Sequence, residues 1–154
     1  MENTADIATI DTQQYVPSLL NVLNNRLTSG ASTLYLRNYG VGINEWRIMV
    51  VLARTPDASA KTISQQSAIH LTVISRSLRD MESKGLVEIQ PSKWERAIKL
   101  TPQGIETYNR ILKTARQREK LLLTGFDEKE QSQLCEYLRR MVSNIALVDE
   151  YKPE

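Results

Sequence analysis

Apolar residues recur at helical spacing in the first long stretch of the chain. Steps of three and four residues place them on one face of a helix running from about Pro17 to Tyr39. Pro17 suits the first turn, where a missing N–H costs nothing. Gly30 lies on the same stripe, either because a bare backbone lets another helix approach closely or because glycine is simply tolerated there. The stripe consists of Leu20, Leu23, Leu27, Gly30 and Leu34.

Two more long helices are predicted in the last third of the chain. One opens after Pro102 and Gly104. The other begins at Asp127, whose carboxylate can cap the helix while Glu130 reaches back, an acidic form of the capping box. Their apolar stripes are Ile105, Tyr108, Leu112, Ala115 and Leu122 in the first, and Leu134, Leu138, Met141, Ile145 and Val148 in the second.

Each of these three helices has only one apolar face, and together they make up more than half of the chain. A helix with one apolar face must bury it against another element. In a chain this small, the available partners are the other helices and a second copy of the protein. The pattern therefore predicts an intertwined helical homodimer.

Shorter helices are predicted between the first two long ones. Asn44 to Arg54 has the composition of a short buried helix capped by Asn44. Pro56-Asp57-Ala58 forms a turn, and Ser59 then caps a helix of roughly Ala60 to Ser67.

The next break introduces a helix-turn-helix. After Ala68 to His70, a helix runs from about Leu71 to Lys84, and Gly85 ends it by supplying a left-handed residue. Two helices joined by about three residues are the signature of the helix-turn-helix. The inward stripe of the second helix is Ile74, Leu78 and Met81.

Beyond Gly85 the apolar period changes to two. Leu86, Val87 and Ile89, followed by Ile98 and Leu100, flank a polar five-residue tip, which predicts a β-hairpin. We therefore expect a mainly α fold with a small β-hairpin wing (α+β), organised as a winged helix-turn-helix. Residues 1–154 form one domain, with the winged lobe at 43–101 and helical dimerisation regions at 11–40 and 104–150.

Composition and charge favour a soluble, cytoplasmic protein. Met1 to Asp11 carries three acids and no Lys or Arg, unlike a secretory signal, and the longest apolar run, Ile48 to Ala53, is six residues. The net charge is only +2, but Ala60 to Gly104 holds seven basic residues against four acids. The positive charge is therefore concentrated on the predicted helix-turn-helix and wing.

The residues favour binding over catalysis. No nucleophile–base pair or phosphate-cradling glycine loop stands out, so we do not expect an enzyme. Cys135 is the one cysteine and His70 the one histidine, which excludes an intramolecular disulfide and leaves no ligand cluster for zinc. No cofactor is expected. Cys135 is expected to be a small buried or interface residue, and His70 to end the turn or touch a phosphate.

Four short motifs resemble the multiple-antibiotic-resistance regulator (MarR) family. They occur in the family's order and near its spacing, and the resemblance covers about residues 15 to 148. The motifs are Glu45-Trp46-Arg47, Val73-Ile74-Ser75-Arg76, Lys84-Gly85-Leu86-Val87 and Leu100-Thr101-Pro102-Gln103-Gly104. The resemblance implies a homodimeric, ligand-responsive repressor whose recognition helices enter successive major grooves of a pseudo-palindromic duplex.

Within that resemblance, the helix from Leu71 to Lys84 is the recognition helix. Helical spacing brings Thr72, Val73 and Arg76 onto one outer face near its N-terminal end, where such helices reach base edges. Arg76 can pair bidentately with guanine, and Val73 can touch a thymine methyl. The predicted contacts on this helix are Thr72, Val73, Ser75, Arg76, Ser77 and Arg79.

The predicted wing is about three residues shorter than in most members of the family. The family places an arginine of an Asp-Arg pair in the minor groove, and Glu95-Arg96 is the nearest match here. Arg96 is therefore the predicted minor-groove contact, with Lys93 at the tip as the alternative. Trp94 could stack on sugars or fold back onto the lobe.

The family also binds small aromatic acids in a cleft between the dimer helices and the winged lobe. Tyr35, Tyr39, Arg47 and Tyr108 could line such a cleft for an aromatic or anionic effector, or could be ordinary packing. Trp46 is expected in the core, and Arg47 in a structural ion pair. Two alternatives remain: an adaptor that keeps the winged fold without binding DNA, and activation in place of repression.

Overall fold

The computed structural model describes residues 7–90 and 97–153. Their contacts divide the chain into two compact units, Met1–Ile111 and Leu112–Glu154. The helices are α1 (Val16–Tyr39), α2 (Ile43–Arg54), α3 (Ala60–Ser67), α4 (Leu71–Ser83), α5 (Pro102–Leu122), α6 (Glu128–Ser143) and α7 (Ile145–Asp149), and the strands are β1 (Val87–Gln90) and β2 (Ala97–Leu100). The predicted order of elements and the winged helix-turn-helix class are confirmed. The wing tip, with Lys93, Trp94 and Arg96, lies outside the described residues.

The core of the first unit surrounds α2. This helix packs against α1, α3, α4 and β2, so its apolar side chains have neighbours on several sides. A fully buried aliphatic side chain contributes about 1.5–3 kcal/mol relative to an exposed one. The most completely buried side chains are Val41, Ile48, Met49, Ile63, Ile74, Met81, Ile98 and Ile111.

Side chains cap two of the helices as predicted. The Ser59 hydroxyl accepts a hydrogen bond from the Thr62 N–H at 3.2 Å at the start of α3. At the start of α6, Asp127 Oδ1 accepts from the Glu130 N–H at 2.8 Å, and Glu130 Oε2 accepts from the Asp127 N–H at 2.9 Å. Both caps satisfy N–H groups that have no partner within their helix.

The predicted cap of α2 was wrong. Asn44 lies inside the first turn, and Gly42 is the N-cap residue. The Gly42 N–H donates to Glu45 Oε2 at 2.6 Å, so a carboxylate from within the helix supplies the side-chain part of the cap. An acid in the first turn also suits the positive end of the helix dipole.

The helix-turn-helix consists of α3 and α4. Three residues join them. The first, Ala68, has φ of +53°, a left-handed conformation that costs a residue with a side chain some strain. The inward stripe of α4 is confirmed, since Ile74, Leu78 and Met81 are all buried.

The end of α4 is a Schellman motif. The Gly85 N–H donates to the Glu82 carbonyl at 2.9 Å, and the Leu86 N–H to the Met81 carbonyl at 2.9 Å. Gly85 has φ of +68°, as the sequence predicted for the residue that stops this helix. The chain then enters β1 directly.

The two strands form an antiparallel hairpin. Val87 pairs with Leu100, and Ile89 with Ile98. The Ile98 N–H also donates to the Ala58 carbonyl at 3.2 Å, which ties the returning strand to the turn before α3. Val87 and Ile98 are buried, so the hairpin is anchored on the core of the lobe.

The predicted start and inward face of α5 were partly wrong. The helix begins at Pro102, so Pro102 and Gly104 both lie in its first turn, and its buried residues are Gly104 and Ile111. Ile105, predicted to face inward, is 48% exposed. A close approach between Gly104 and the backbone of Leu86 sets this face, and a residue without a side chain leaves no trace in hydrophobic periodicity.

Apolar side chains on α1, α6 and α7 remain uncovered in the single chain. On α1, Leu20 and Leu23 are exposed, and the buried residues are Ala31 and Tyr35. On α6 and α7, the predicted stripe includes the exposed Leu138, Met141, Ile145 and Val148. Among the described residues, no helix is long and apolar enough to cross a bilayer.

Candidate nucleic-acid interface

The outer face of α4 carries the polar and basic side chains that the sequence singled out. Thr72, Val73, Ser75, Arg76 and Arg79 are exposed, and Ser77 is half-buried. They share this helix with a fully inward-facing apolar stripe, so burial of the stripe turns the polar face towards solvent. Thr72, Val73 and Arg76 lie together near the N-terminal end of the helix, as the spacing predicted.

Hydrogen bonds orient several of these side chains. Ser75 Oγ donates to the Leu71 carbonyl at 3.0 Å, and Arg79 Nε donates to the Ser75 carbonyl at 3.4 Å. Within the part of the chain that the structure describes, no hydrogen bond or ion pair engages the Arg76 guanidinium. Its planar array of five donors is therefore available to an external acceptor.

His70 occupies the N-cap position of α4 without a side-chain cap bond. Its Nδ1 lies 3.2 Å from the Thr72 hydroxyl. The ring thus lies at the N-terminal end of α4, in contact with one of the residues predicted to bind DNA.

The strands of the wing bear an exposed ion pair. Lys99 Nζ lies 2.9 Å from Glu88 Oε1, on directly paired residues of the two strands. Donation of this hydrogen bond by Lys99, helped by its positive charge and by the Gln90 amide, holds the pKa of Glu88 below its ordinary value despite some desolvation. The same bond raises the pKa of Lys99. The predicted wing contacts Lys93 and Arg96 lie outside the described residues.

Four aromatic rings form a chain across α1, α2 and α5, which we call the aromatic row: Tyr39, Tyr35, Trp46 and Tyr108. The ring centroids are 6.4 Å apart for Tyr39 and Tyr35, 5.8 Å for Tyr35 and Trp46, and 5.4 Å for Trp46 and Tyr108. The last two rings are stacked, with 21° between their planes. Three of the four residues predicted to line an effector cleft therefore belong to one row.

Two further residues join the predicted tyrosines in this arrangement. Trp46, expected in the core, is half-buried and joins Tyr35 to Tyr108. Arg110 on α5 has its guanidinium carbon 5.4 Å from the Tyr39 ring centroid. The signal that could have found both was the set of aromatic residues on three helices that share a lobe.

Arg47 does not make the ion pair expected of it among the described residues. Its Nη2 donates to the Thr28 hydroxyl at 3.3 Å, which links α2 to α1. A cavity of about 410 Å³ lies between the end of α2, β2 and the start of α5. Tyr108 contributes to its wall together with Leu52, Pro56 and Ile105, and Arg47 does not line it.

Among the described residues, no group of His, Cys, Asp and Glu side chains could hold a metal ion. Cys135 is exposed, so its predicted burial within one chain is wrong, while an interface position stays a prediction.

Comparison with known proteins identifies the family. The MarR family profile matches residues 39–93. The structure is similar to that of a MarR/EmrR family transcriptional regulator from Acinetobacter sp. ADP1, with 32% identity, a TM-score of 0.84, and coverage of 90% of this chain and 99% of that one. No curated protein matches.

Two further solved structures share the fold. A MarR family regulator from Silicibacter pomeroyi is 21% identical, with a TM-score of 0.81 and coverage of 91% of this chain and 96% of that one. The S. aureus MepR-DNA complex contains a chain 18% identical, with a TM-score of 0.75 and coverage of 86% and 98%. The sequence motifs, the winged helix-turn-helix and the full-length similarity to the Acinetobacter protein establish that this chain belongs to the MarR family of transcriptional regulators.

Proposed function

We propose that this protein is a sequence-specific regulator that binds double-stranded DNA as a homodimer on a pseudo-palindromic operator. The observation that carries the proposal is the outer face of α4, which presents Thr72, Val73 and Arg76 together at its exposed N-terminal end. A relative with the same fold, MepR, has been solved as a complex with DNA.

The chemistry of this face suits the major groove. Arg76 would donate two parallel hydrogen bonds to guanine O6 and N7, and Val73 would contact a thymine methyl group. Ser75, Ser77 and Arg79 would bind phosphates and set the register of the helix on the duplex. In the wing, Arg96, or Lys93 in its place, would enter the minor groove.

The uncovered apolar faces support the homodimer. Alpha-helices bury one face against another element. Several apolar side chains on α1, α6 and α7 have no such cover among the described residues of one chain. A second copy would supply that cover through a self-complementary interface. Two copies related by a two-fold axis would in turn present two recognition helices to two half-sites.

We further propose that a small aromatic or anionic effector controls a repressor. The aromatic row supports this, since Tyr39, Trp46 and Tyr108 are half-buried rather than part of the closed core, and the Arg110 guanidinium lies beside Tyr39. An effector that binds one spacing of the two recognition helices better than another would shift the population towards it. Release from the operator would follow if that spacing does not match the half-sites.

Selection of binding sites from random duplex DNA tests the central proposal. The full chain should enrich a two-fold symmetric site with half-sites about one helical turn apart. Titration of that site with salt should give a steep linear fall of log affinity, because bound phosphates release counterions. A folded dimer that enriches no sequence would overturn the proposal and favour the adaptor.

A further inference from the structure

One ammonium group joins the ends of three helices. Lys84, the C-cap residue of α4, places its Nζ 2.7 Å from Glu45 Oε1 and 3.0 Å from the carbonyl oxygen of Gly40. Glu45 lies in the first turn of α2, and Gly40 is the C-cap residue of α1. The recognition helix is thereby tied to the corner between α1 and α2. We call these contacts the Lys84 clamp.

Among the charged side chains that the structure describes, Glu45 is the one that is buried. Its side chain is 9% exposed, and its second oxygen accepts the 2.6 Å hydrogen bond from the Gly42 N–H. A buried carboxylate must be paired and hydrogen-bonded to be tolerated. Lys84 provides the pairing charge, so the two residues depend on each other.

The second ion pair provides a contrast. Lys99 is as exposed as Lys84, at 41%, but its partner Glu88 is 44% exposed. Water and salt screen an exposed pair, and such pairs contribute little. Removal of the Lys99 ammonium therefore leaves a solvated carboxylate, whereas removal of the Lys84 ammonium leaves a buried one.

The helix ends favour the charges in the clamp. The C-terminus of a helix carries partial negative charge, and the Lys84 ammonium lies at the C-terminus of α1. Glu45 lies at the positive N-terminus of α2. The backbone at Lys84 is already held by the Schellman motif, so the side chain extends from a fixed base.

The clamp and the base-reading residues lie at opposite ends of α4. The helix has 13 residues, which gives a length of roughly 20 Å at 1.5 Å per residue. A rotation of about 10° at the clamped end moves the other end by roughly 3 Å. The side chains of a binding site must be held within about 0.5 Å of their productive positions, so this movement is several times too large. At Arg76, roughly 12 Å along the helix from Lys84, the same rotation gives a displacement of about 2 Å.

We propose that Lys84 and Glu45 are positioning residues for DNA recognition: they set the angle at which α4 leaves the lobe, and so the position of Thr72, Val73 and Arg76 in the groove. The inference rests on the proposed function. Neither residue touches a base; each acts through the orientation of α4.

A double-mutant cycle tests the coupling of the two residues. Lys84→Met removes the ammonium, and Glu45→Gln removes the carboxylate charge while a side-chain oxygen remains to accept from the Gly42 N–H. The readout is the ratio of affinities for the selected site and for random duplex DNA, at fixed salt and well below the melting temperature. Each variant should lower this ratio about tenfold, which equals roughly 1.4 kcal/mol, and the double variant should lower it no further.

Two further variants serve as controls. Lys84→Arg retains a cation that can reach the carboxylate, so it should keep the affinity ratio of the wild type. Lys99→Met removes the same single positive charge from an exposed pair and should leave the ratio unchanged. If Lys84 instead contacted a phosphate, Lys84→Met would weaken both affinities equally and reduce the salt slope, while Glu45→Gln would have no such effect. That result would overturn the inference.

A measurement without DNA separates this inference from the proposed function. Residual dipolar couplings give the orientation of α4 relative to α2 in the free protein. Lys84→Met should change that orientation by several degrees, and Lys99→Met should not. An unchanged orientation overturns the clamp even if the wild-type protein binds DNA specifically. A changed orientation of α4 in Lys84→Met supports the clamp. If the wild-type protein then selects no preferred DNA site, that result refutes only the proposed function.

Discussion

Gly104 lies directly against the backbone of Leu86. A β-carbon added to residue 104 would lie 2.0 Å from the Leu86 carbonyl oxygen. The Thr101 N–H donates to that same oxygen at 3.1 Å, and the Thr101 hydroxyl donates to the Gly85 carbonyl at 2.6 Å. The start of α5 therefore packs on the segment that leaves the recognition helix, and two motifs that are far apart in the sequence touch in the fold.

Gly104→Ala should destabilise the fold. The alanine methyl group would collide with a backbone carbonyl that cannot rotate away, and overpacking of this kind costs about 1–3 kcal/mol. Urea unfolding of the variant and the wild type measures the change in free energy of unfolding. Glu106→Ala is a suitable control, because it places alanine at an exposed position of the same helix. Equal losses in both variants would contradict the close-approach explanation.

Arg76→Ala should cost about 1–3 kcal/mol of affinity for the selected operator and relax the base preference at one position per half-site. Lys93→Ala should weaken binding to all sequences alike. Fluorescence anisotropy on the selected site, on single-base variants and on random duplex separates the two effects. Equal losses on specific and random DNA for Arg76→Ala would remove its assigned role.

Leu138→Asp should dissociate the proposed homodimer. A carboxylate in an apolar interface lacks a partner, and burying it costs several kcal/mol, so the dimer dissociation constant should rise by more than about a hundredfold. Sedimentation equilibrium measures this constant. Ser132→Asp is the control. Ser132 is two residues from the stripe residue Leu134 and so lies on the opposite face of α6, and the added charge there should leave the mass of the dimer in solution unchanged. A wild-type protein that sediments as a stable folded monomer would refute the homodimer outright.

Benzoate should bind near the aromatic row and weaken operator binding. Trp46 fluorescence in a Trp94→Phe background reports the binding, because the Trp46 ring stacks on Tyr108. Tyr108→Ala should weaken benzoate binding by roughly 0.5–1.5 kcal/mol, the value of an aromatic pair, while Tyr151→Ala should not. Cyclohexanecarboxylate has the same charge without the aromatic ring. If it binds as tightly as benzoate, stacking on the row is not the basis of recognition.

The Glu88–Lys99 pair should stabilise the wing only between two pH limits. Because the pKa of Glu88 is lowered in the folded protein, its contribution is present above the pKa of the unfolded carboxyl group and is lost as pH falls through the folded value. Because the pKa of Lys99 is raised, its contribution is lost as pH rises through the folded value. Carbon-13 NMR titration of Glu88 should show its pKa moving back up in Lys99→Met and staying low in Lys61→Met.

Local signals in the sequence were sufficient for most of the fold. The helical period located the inward stripe of α4, and the caps at Ser59 and Asp127 were recognisable because the residues that bond lie three positions apart. The left-handed residue at the end of α4 was equally local, since only glycine adopts that conformation without strain.

The features that the sequence did not reveal depend on distant or missing side chains. Gly42 has no side chain to mark it as a cap, and Gly104 has none to mark an inward face. The Glu45–Lys84 contact joins residues 39 positions apart, and no period or motif spacing encodes such a pair. Trp46 was expected in the core but is half-buried, and its neighbours on α1 and α5 became known only from the packing.

If the proposed homodimer covers the exposed faces of α6 and α7, the order of the second unit depends on how much of the protein a cell contains. In the described part of a single chain, neither helix buries a side chain, and a lone helix of this length is marginal in water. Association with a second copy stabilises only the assembled form, so the stability of the unit rises with concentration by mass action. At low copy number, part of the population would hold these helices only loosely formed and open to proteases. Synthesis rate and turnover would then set the level of operator occupancy together with any effector.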